Sequence, residues 1–141
     1  MAITISPYKF DANYIKRGDL HYETGHPHIQ LISSGNITAE DIDIKGDGAT
    51  KLVANSETEL TQAVEALENY YKGEQSGRNV TYVIVPLDTA IDADNTVAIE
   101  RLLREGRQAG LRVVVLAGDT ALTPAEAGVL LPHLAETIDL G

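Results

Sequence analysis

The spacing of apolar residues changes once along this chain, near Asn55, and the change separates two kinds of element. Before it, apolar and polar positions alternate in short runs bounded by turn formers. "ITI" opens the chain at Ile3 to Ile5, "HIQLI" follows at His28 to Ile32, and "DIDIK" at Asp41 to Lys45 alternates cleanly. A period of two marks strands with one covered face. The loop "GDGA" separates "DIDIK" from "TKLVA" at Thr50 to Ala54, which reads as a β-hairpin. "DLHYE" and "HIQLI" read as a second pair across "TGHP". That pairing puts Leu20, Tyr22, Ile29 and Leu31 on an inner face. His21, Glu23, His28 and Gln30 fall on the outer face, with Glu23 opposite His28.

After Asn55 the period becomes helical. "SETELTQAVEALENYYKG" opens with a capping box, Ser56 at the cap and Glu59 reaching back to it. Leu60, Val64, Leu67 and Tyr71 form the expected buried stripe, and Gly73 the stop. "VTYVIVPL", Val80 to Leu87, and "LRVVVLAG", Leu111 to Gly118, are continuous apolar runs typical of strands covered on both faces. Between them "NTVAIERLLREGRQAG" predicts a helix with Glu100–Arg104 and Arg101–Glu105 pairs on its wet side. A last helix begins at Thr123 and Pro124 and ends near Pro132. "ETIDL" is a final short strand or a tail.

Strand, helix, strand, helix is a βαβα unit. The chain is therefore expected to be a single α/β domain over 1–141, with a hairpin-rich part at 1–55 and an alternating part at 56–141. The expected sheet is mixed, its N-terminal β-hairpins followed by parallel strands at about 80–87 and 111–118.

Composition sharpens this in three ways. The 141 residues are 43% hydrophobic with no Trp and one Phe, so the core is aliphatic. The formal charge of −10 opposes binding to nucleic acid and to anionic membranes, and favours a protein partner with a basic surface. Cysteine is absent, which removes disulfides, thiol nucleophiles and zinc ribbons together. No segment approaches the ~20 apolar residues of a membrane helix, and no signal-peptide pattern opens the chain. The expected location is the cytoplasm.

Candidate chemistry is sparse. His21, Glu23 and His28 are zinc-ligand types on one expected face, but the spacing matches no zinc motif, and a solvated strand face explains them. "DIDIKGDG" matches a calcium loop at positions 1, 3 and 6, yet Lys45 stands at position 5 and Leu52 at position 12. Asp88, Asp92 and Asp94 follow one buried strand, and Asp119 and Thr120 follow the next. Acids beyond the carboxyl ends of parallel strands are placed to hold Mg²⁺ and a phosphate. They are equally helix caps, and no glycine-rich phosphate cradle accompanies them. His133, at an apolar helix end, reads as a half-buried structural histidine.

The window from Tyr82 to Gly118 is similar in layout to STAS domains. Where that family carries Asp-Ser-Ser-Gly between strand and helix, this chain has Asp92, Ala93, Asp94 and Asn95. Both serines and the glycine are missing, and with them the phosphoacceptor.

The expectation is a small acidic protein without catalysis of its own, acting through protein–protein contacts as an inhibitor, immunity-type or regulatory module, alone or as a homodimer. The alternative is a Mg²⁺-dependent phosphate-handling enzyme built on Asp88, Asp92, Asp94, Asp119 and Thr120.

Overall fold

A computed structural model describes residues 3–9, 12–17, 20–35, 37–74, 79–87, 93–118, 124–134 and 136–140. The strands in chain order are β1 (Ile3–Lys9), β2 (Ala12–Arg17), β3 (Leu20–Thr24), β4 (Ile29–Ile32), β5 (Ile42–Ile44), β6 (Thr50–Val53), β7 (Thr81–Pro86), β8 (Leu111–Ala117) and β9 (Glu136–Asp139). The α-helices are α1 (Glu57–Tyr71), α2 (Ala93–Glu105) and α3 (Pro124–Leu130).

The strands form two sheets. In the first, β3, β2 and β1 make an antiparallel meander, and β5 joins β1 in parallel. In the second, the spatial order is β6, β7, β8, β4, β9, and every pair is parallel. The α/β class, the N-terminal antiparallel strands and the parallel C-terminal pair are as expected.

The layering follows from handedness. Crossovers between parallel strands are right-handed, and β6, β7 and β8 lie side by side in chain order. Their helices therefore fall on one face. Leu60, Ala63 and Leu67 of α1 pack there with Ile99, Leu102 and Leu103 of α2 and Leu130 of α3, against Val83, Val85, Val113 and Val115. The opposite face carries Tyr82, Ile84, Val114 and Leu116, and the first sheet covers it with Ile3, Ile5, Ile15 and Ile42. Helices, parallel sheet and meander thus make three layers around two cores.

Two expected hairpins do not form. β5 pairs with β1 and β6 with β7, so "DIDIK" and "TKLVA" belong to different sheets. Gly46 and Gly48 between them take positive φ (122° and 79°) and carry the chain from one sheet to the other. Likewise β3 pairs with β2, while β4 lies between β8 and β9. The expected inner face survives in part, since Tyr22, Ile29 and Leu31 share the core between the sheets. Strand β2 had no counterpart in the expected elements, and "ETIDL" supplies edge strand β9.

Helix α1 starts and stops where its sequence says. Ser56 is extended at the N-cap as expected, but its side chain makes no capping bond to the helix backbone. The hydroxyl donates to the Glu59 carboxylate instead, so the two side chains pair with each other and the expected capping box does not form. At the other end Gly73 (φ 77°) donates its N–H to Tyr70 O and Glu74 donates to Asn69 O, the two bonds of a Schellman stop. The buried stripe, however, is Leu60, Ala63 and Leu67, with Val64 only partly covered. Tyr71 is 47% exposed; its hydroxyl donates to Glu105 and accepts from Gln108, both at 2.7 Å. Arg101 of α2 reaches Glu68 of α1 at 2.6 Å, and the Glu100–Arg104 and Arg101–Glu105 pairs are present at 2.8 and 3.4 Å.

Leu67→Ala should therefore lower unfolding stability by about 2–5 kcal/mol. Tyr71→Ala, which removes an exposed ring and surface hydrogen bonds, should cost about 1 kcal/mol or less. Urea unfolding of the two variants checks this; equal losses would restore Tyr71 to the stripe.

Candidate functional site

With both faces of the parallel sheet covered, chemistry is confined to strand ends and to the outer surfaces. The carboxyl edge is the first place to look. β7 and β8 end side by side at Pro86 and Ala117, with Pro86 in register with Leu116. Asp88 and Asp119 each follow those strand ends by two positions in the sequence. Asp88, Asp92, Asp119 and Thr120 lie outside the described residues. Asp94 falls in the first turn of α2 by its backbone. Thr123, the expected cap of α3, also lies outside the described residues.

The neighbouring strand adds a feature that sequence reasoning missed. After β8 the chain goes to the helix layer, whereas after β4 it crosses to the first sheet, through buried Ile37 and the 3-10 turn Ala39–Asp41 to β5. Adjacent strands whose chains leave toward opposite layers mark the topological switch point of the sheet, the usual ligand position of α/β folds. Ser33, 1% exposed, stands at that point: its N–H donates to Ala117 O (3.1 Å) and its Oγ accepts from Gly35 N–H (3.1 Å). Only the position of β4 beside β8 reveals it, and no local pattern encodes that.

The histidine stretch is split between layers. His21 and Glu23 are exposed on the outer face of β3, His21 opposite Lys16 and Glu23 opposite Tyr14. The Tyr14 and His21 rings lie 5.3 Å apart, centroid to centroid. His28 is in the other sheet's layer and only 3% exposed, so it is neither on a solvated face nor opposite Glu23. Its Nδ1 accepts a hydrogen bond from the Val113 N–H at 3.0 Å, just where the β4–β8 ladder begins. Among the described residues no group of three or more His, Asp or Glu is arranged to hold a metal ion.

Burial pushes the His28 imidazole down to about 3. Nearby His26, Arg112 and His133 push the same way, while hydrogen bonding to the Leu103 backbone opposes them. Nδ1 of His26 sits 3.1 Å from the His28 N–H and 2.6 Å from the His28 carbonyl. It accepts from the first when unprotonated and donates to the second when protonated. Arg112, at the same end of β8, has a buried Nε with no hydrogen-bond partner. The fourth histidine, His133, is half-buried, its Nε2 3.3 Å from the Glu100 carboxylate.

The outer surface of the helix layer holds the other candidate. The segment Pro124–Pro132 is largely apolar, yet Pro124, Ala125, Gly128, Val129, Leu131 and Pro132 are exposed. Val129 and Leu131 are each 41% exposed, while Leu130 and Leu134 anchor the segment in the core. Val97 of α2 is 68% exposed, one turn before Glu100, the residue that meets His133 beyond α3. Arg104, paired to Glu100, stands a further turn along. An apolar patch bordered by charges is the usual anatomy of a contact surface.

Comparison with protein-family models, with curated proteins and with solved structures gives no match to this chain. The likeness to STAS domains is one of strand–helix order alone.

The buried histidine generates a pH prediction. Unfolded, His28 takes up a proton near its ordinary value of about 6.5. Folded, it does so only near 3. The unfolded state thus binds the extra proton in between, so stability falls as pH drops through that window, by up to ~1.4 kcal/mol per pH unit. In His28→Gln, urea unfolding should show about 1–2 kcal/mol less stability at pH 7.5 but a flatter decline between pH 6.5 and 4. A decline as steep as wild type would contradict the buried, neutral ring.

Proposed function

We propose that this protein is a non-catalytic interaction module of the inhibitor, immunity or regulatory kind, acting from the cytoplasm on a protein partner. The observation that carries this is the exposed apolar segment of α3 and the turn after it. Val129, Leu131 and Pro132 face solvent on an element that buries little more than two leucines. Exposed apolar area of this kind disfavours the free protein unless a partner covers it. The net charge of −10 selects among partners: a basic surface gains from approach and an acidic one is repelled. Steering by that charge weakens with salt, whereas the apolar contact does not.

The second reading, a Mg²⁺-dependent phosphate-handling enzyme, draws support from the switch point between β4 and β8, since Asp88 and Asp119 follow the adjacent ends of β7 and β8 by two positions in the sequence. It requires Asp88, Asp92 or Asp94 to converge with Asp119 and Thr120.

One pair of measurements separates the two. Affinity capture followed by mass spectrometry should enrich one basic protein with the wild type and lose it with Val129→Asp/Leu131→Asp, whose exposed sites leave the fold intact. Calorimetric titration of Mg²⁺ should give no submillimolar binding. Submillimolar Mg²⁺ binding that disappears in Asp119→Asn would replace the module by the enzyme.

A further inference from the structure

The outer edge of β3 is the end of the first sheet, and its chemistry matches itself. Among the described residues no strand pairs with that edge. At five residues β3 is longer than the other three edge strands, β5, β6 and β9, and it contains neither proline nor lysine. The opposite side of the two sheets is already stitched: Lys51 of β6 donates to the carbonyls of Ala39 and Ile42 at 3.1 and 2.9 Å.

We propose that β3 pairs antiparallel with β3 of a second copy of this chain, joining two four-stranded sheets into one of eight strands. The register follows from sidedness. Directly opposed residues must share a face, and a two-fold axis must relate the strands, so the axis passes through His21, Tyr22 or Glu23. An axis at Glu23 opposes two carboxylates and pairs three residues. An axis at His21 opposes two imidazoles and also pairs three. Centred on Tyr22, all five residues pair, and each exposed His21 faces Glu23 of the second copy, with Lys16 in register behind it. The imidazole then meets a carboxylate twice, which is the favourable arrangement of a cross-strand pair.

Charge distribution admits a second copy here as it does nowhere else on the chain's ends. Residues 1–24 hold three basic residues (Lys9, Lys16, Arg17) and three acidic ones (Asp11, Asp19, Glu23), so the whole net charge of −10 falls after Thr24. Two copies meeting at β3 bring neutral segments together and keep their acidic parts apart. The pairing uses a surface separate from α3, and stands or falls independently of the partner proposed above.

Sedimentation equilibrium of the full chain across micromolar to submillimolar concentrations tests this. The wild type should approach twice its 15.2 kDa monomer mass. Glu23→Lys, and separately His21→Glu, should each raise the dimer dissociation constant roughly tenfold, the first by removing the carboxylate that meets the imidazole with Lys16 behind it, the second by opposing two carboxylates. The double variant His21→Glu/Glu23→Lys exchanges the charges and should recover dimerisation. Val129→Asp/Leu131→Asp should leave the dimer unchanged. A wild type that stays monomeric, single variants that dimerise as tightly as wild type, or a dimer lost through the α3 variant alone would each overturn the pairing.

Discussion

A parallel sheet must be covered on both faces, and this fold is arranged around that need. β7 and β8 are apolar on both sides: Val83, Val85, Val113 and Val115 look one way, and Tyr82, Ile84, Val114 and Leu116 the other. Helices following successive right-handed crossovers can seal only one of those faces. The second must come from elsewhere in the chain, and the meander β1–β2–β3 with β5 supplies it. Strand β4 ties the arrangement together, since it belongs to the N-terminal part of the sequence yet lies between β8 and β9. His28 at its start closes the seam by accepting the Val113 N–H that the ladder leaves over.

The same constraint sets where function can reside. No ligand reaches the sheet faces without dismantling a core, so the sites open to chemistry are the carboxyl edge, the outside of the helix layer and the outside of the meander. Each carries a distinct feature. The edge has diverging exits after β4 and β8 beside Ser33; the helix layer has the exposed apolar side chains of α3 and the turn after it; and the meander has, in β3, an outer edge that no strand among the described residues pairs.

Local patterns were legible in the sequence where local forces decide. The continuous apolar runs identified β7 and β8, and Ser56 and Gly73 bounded α1 correctly. Partnering was not legible, because alternation tells a strand which side to bury but not which strand lies beside it. "DIDIK" and "TKLVA" have the loop length and glycines of a hairpin; both strands found better cover in different sheets. His28 shows the same limit. Its alternation with Ile29 was read correctly, but the polar side of β4 faces the helix layer, not water, so the residue is buried. Asp88, Asp92, Asp94, Asp119 and Thr120 were read from sequence position alone; β7 and β8 end side by side, and the side chains of these residues lie outside what is described. Tyr71 was misassigned because the buried side of α1 centres on Leu60, Ala63 and Leu67, and Tyr71, at the flank of that side and the end of the helix, stays exposed.

Because β4 and the meander share a buried cluster with β7 and β8, they should unfold with them and not as a separate N-terminal unit. Native-state hydrogen exchange reads this residue by residue. The slowest amides of β4, Leu31 among them, should open with the same free energy as Val83–Val85 of β7 and Val113–Val115 of β8, equal to that of global unfolding. Exchange of β4 together with β1–β3 through a separate opening of lower free energy, with β7 and β8 still protected, would contradict it.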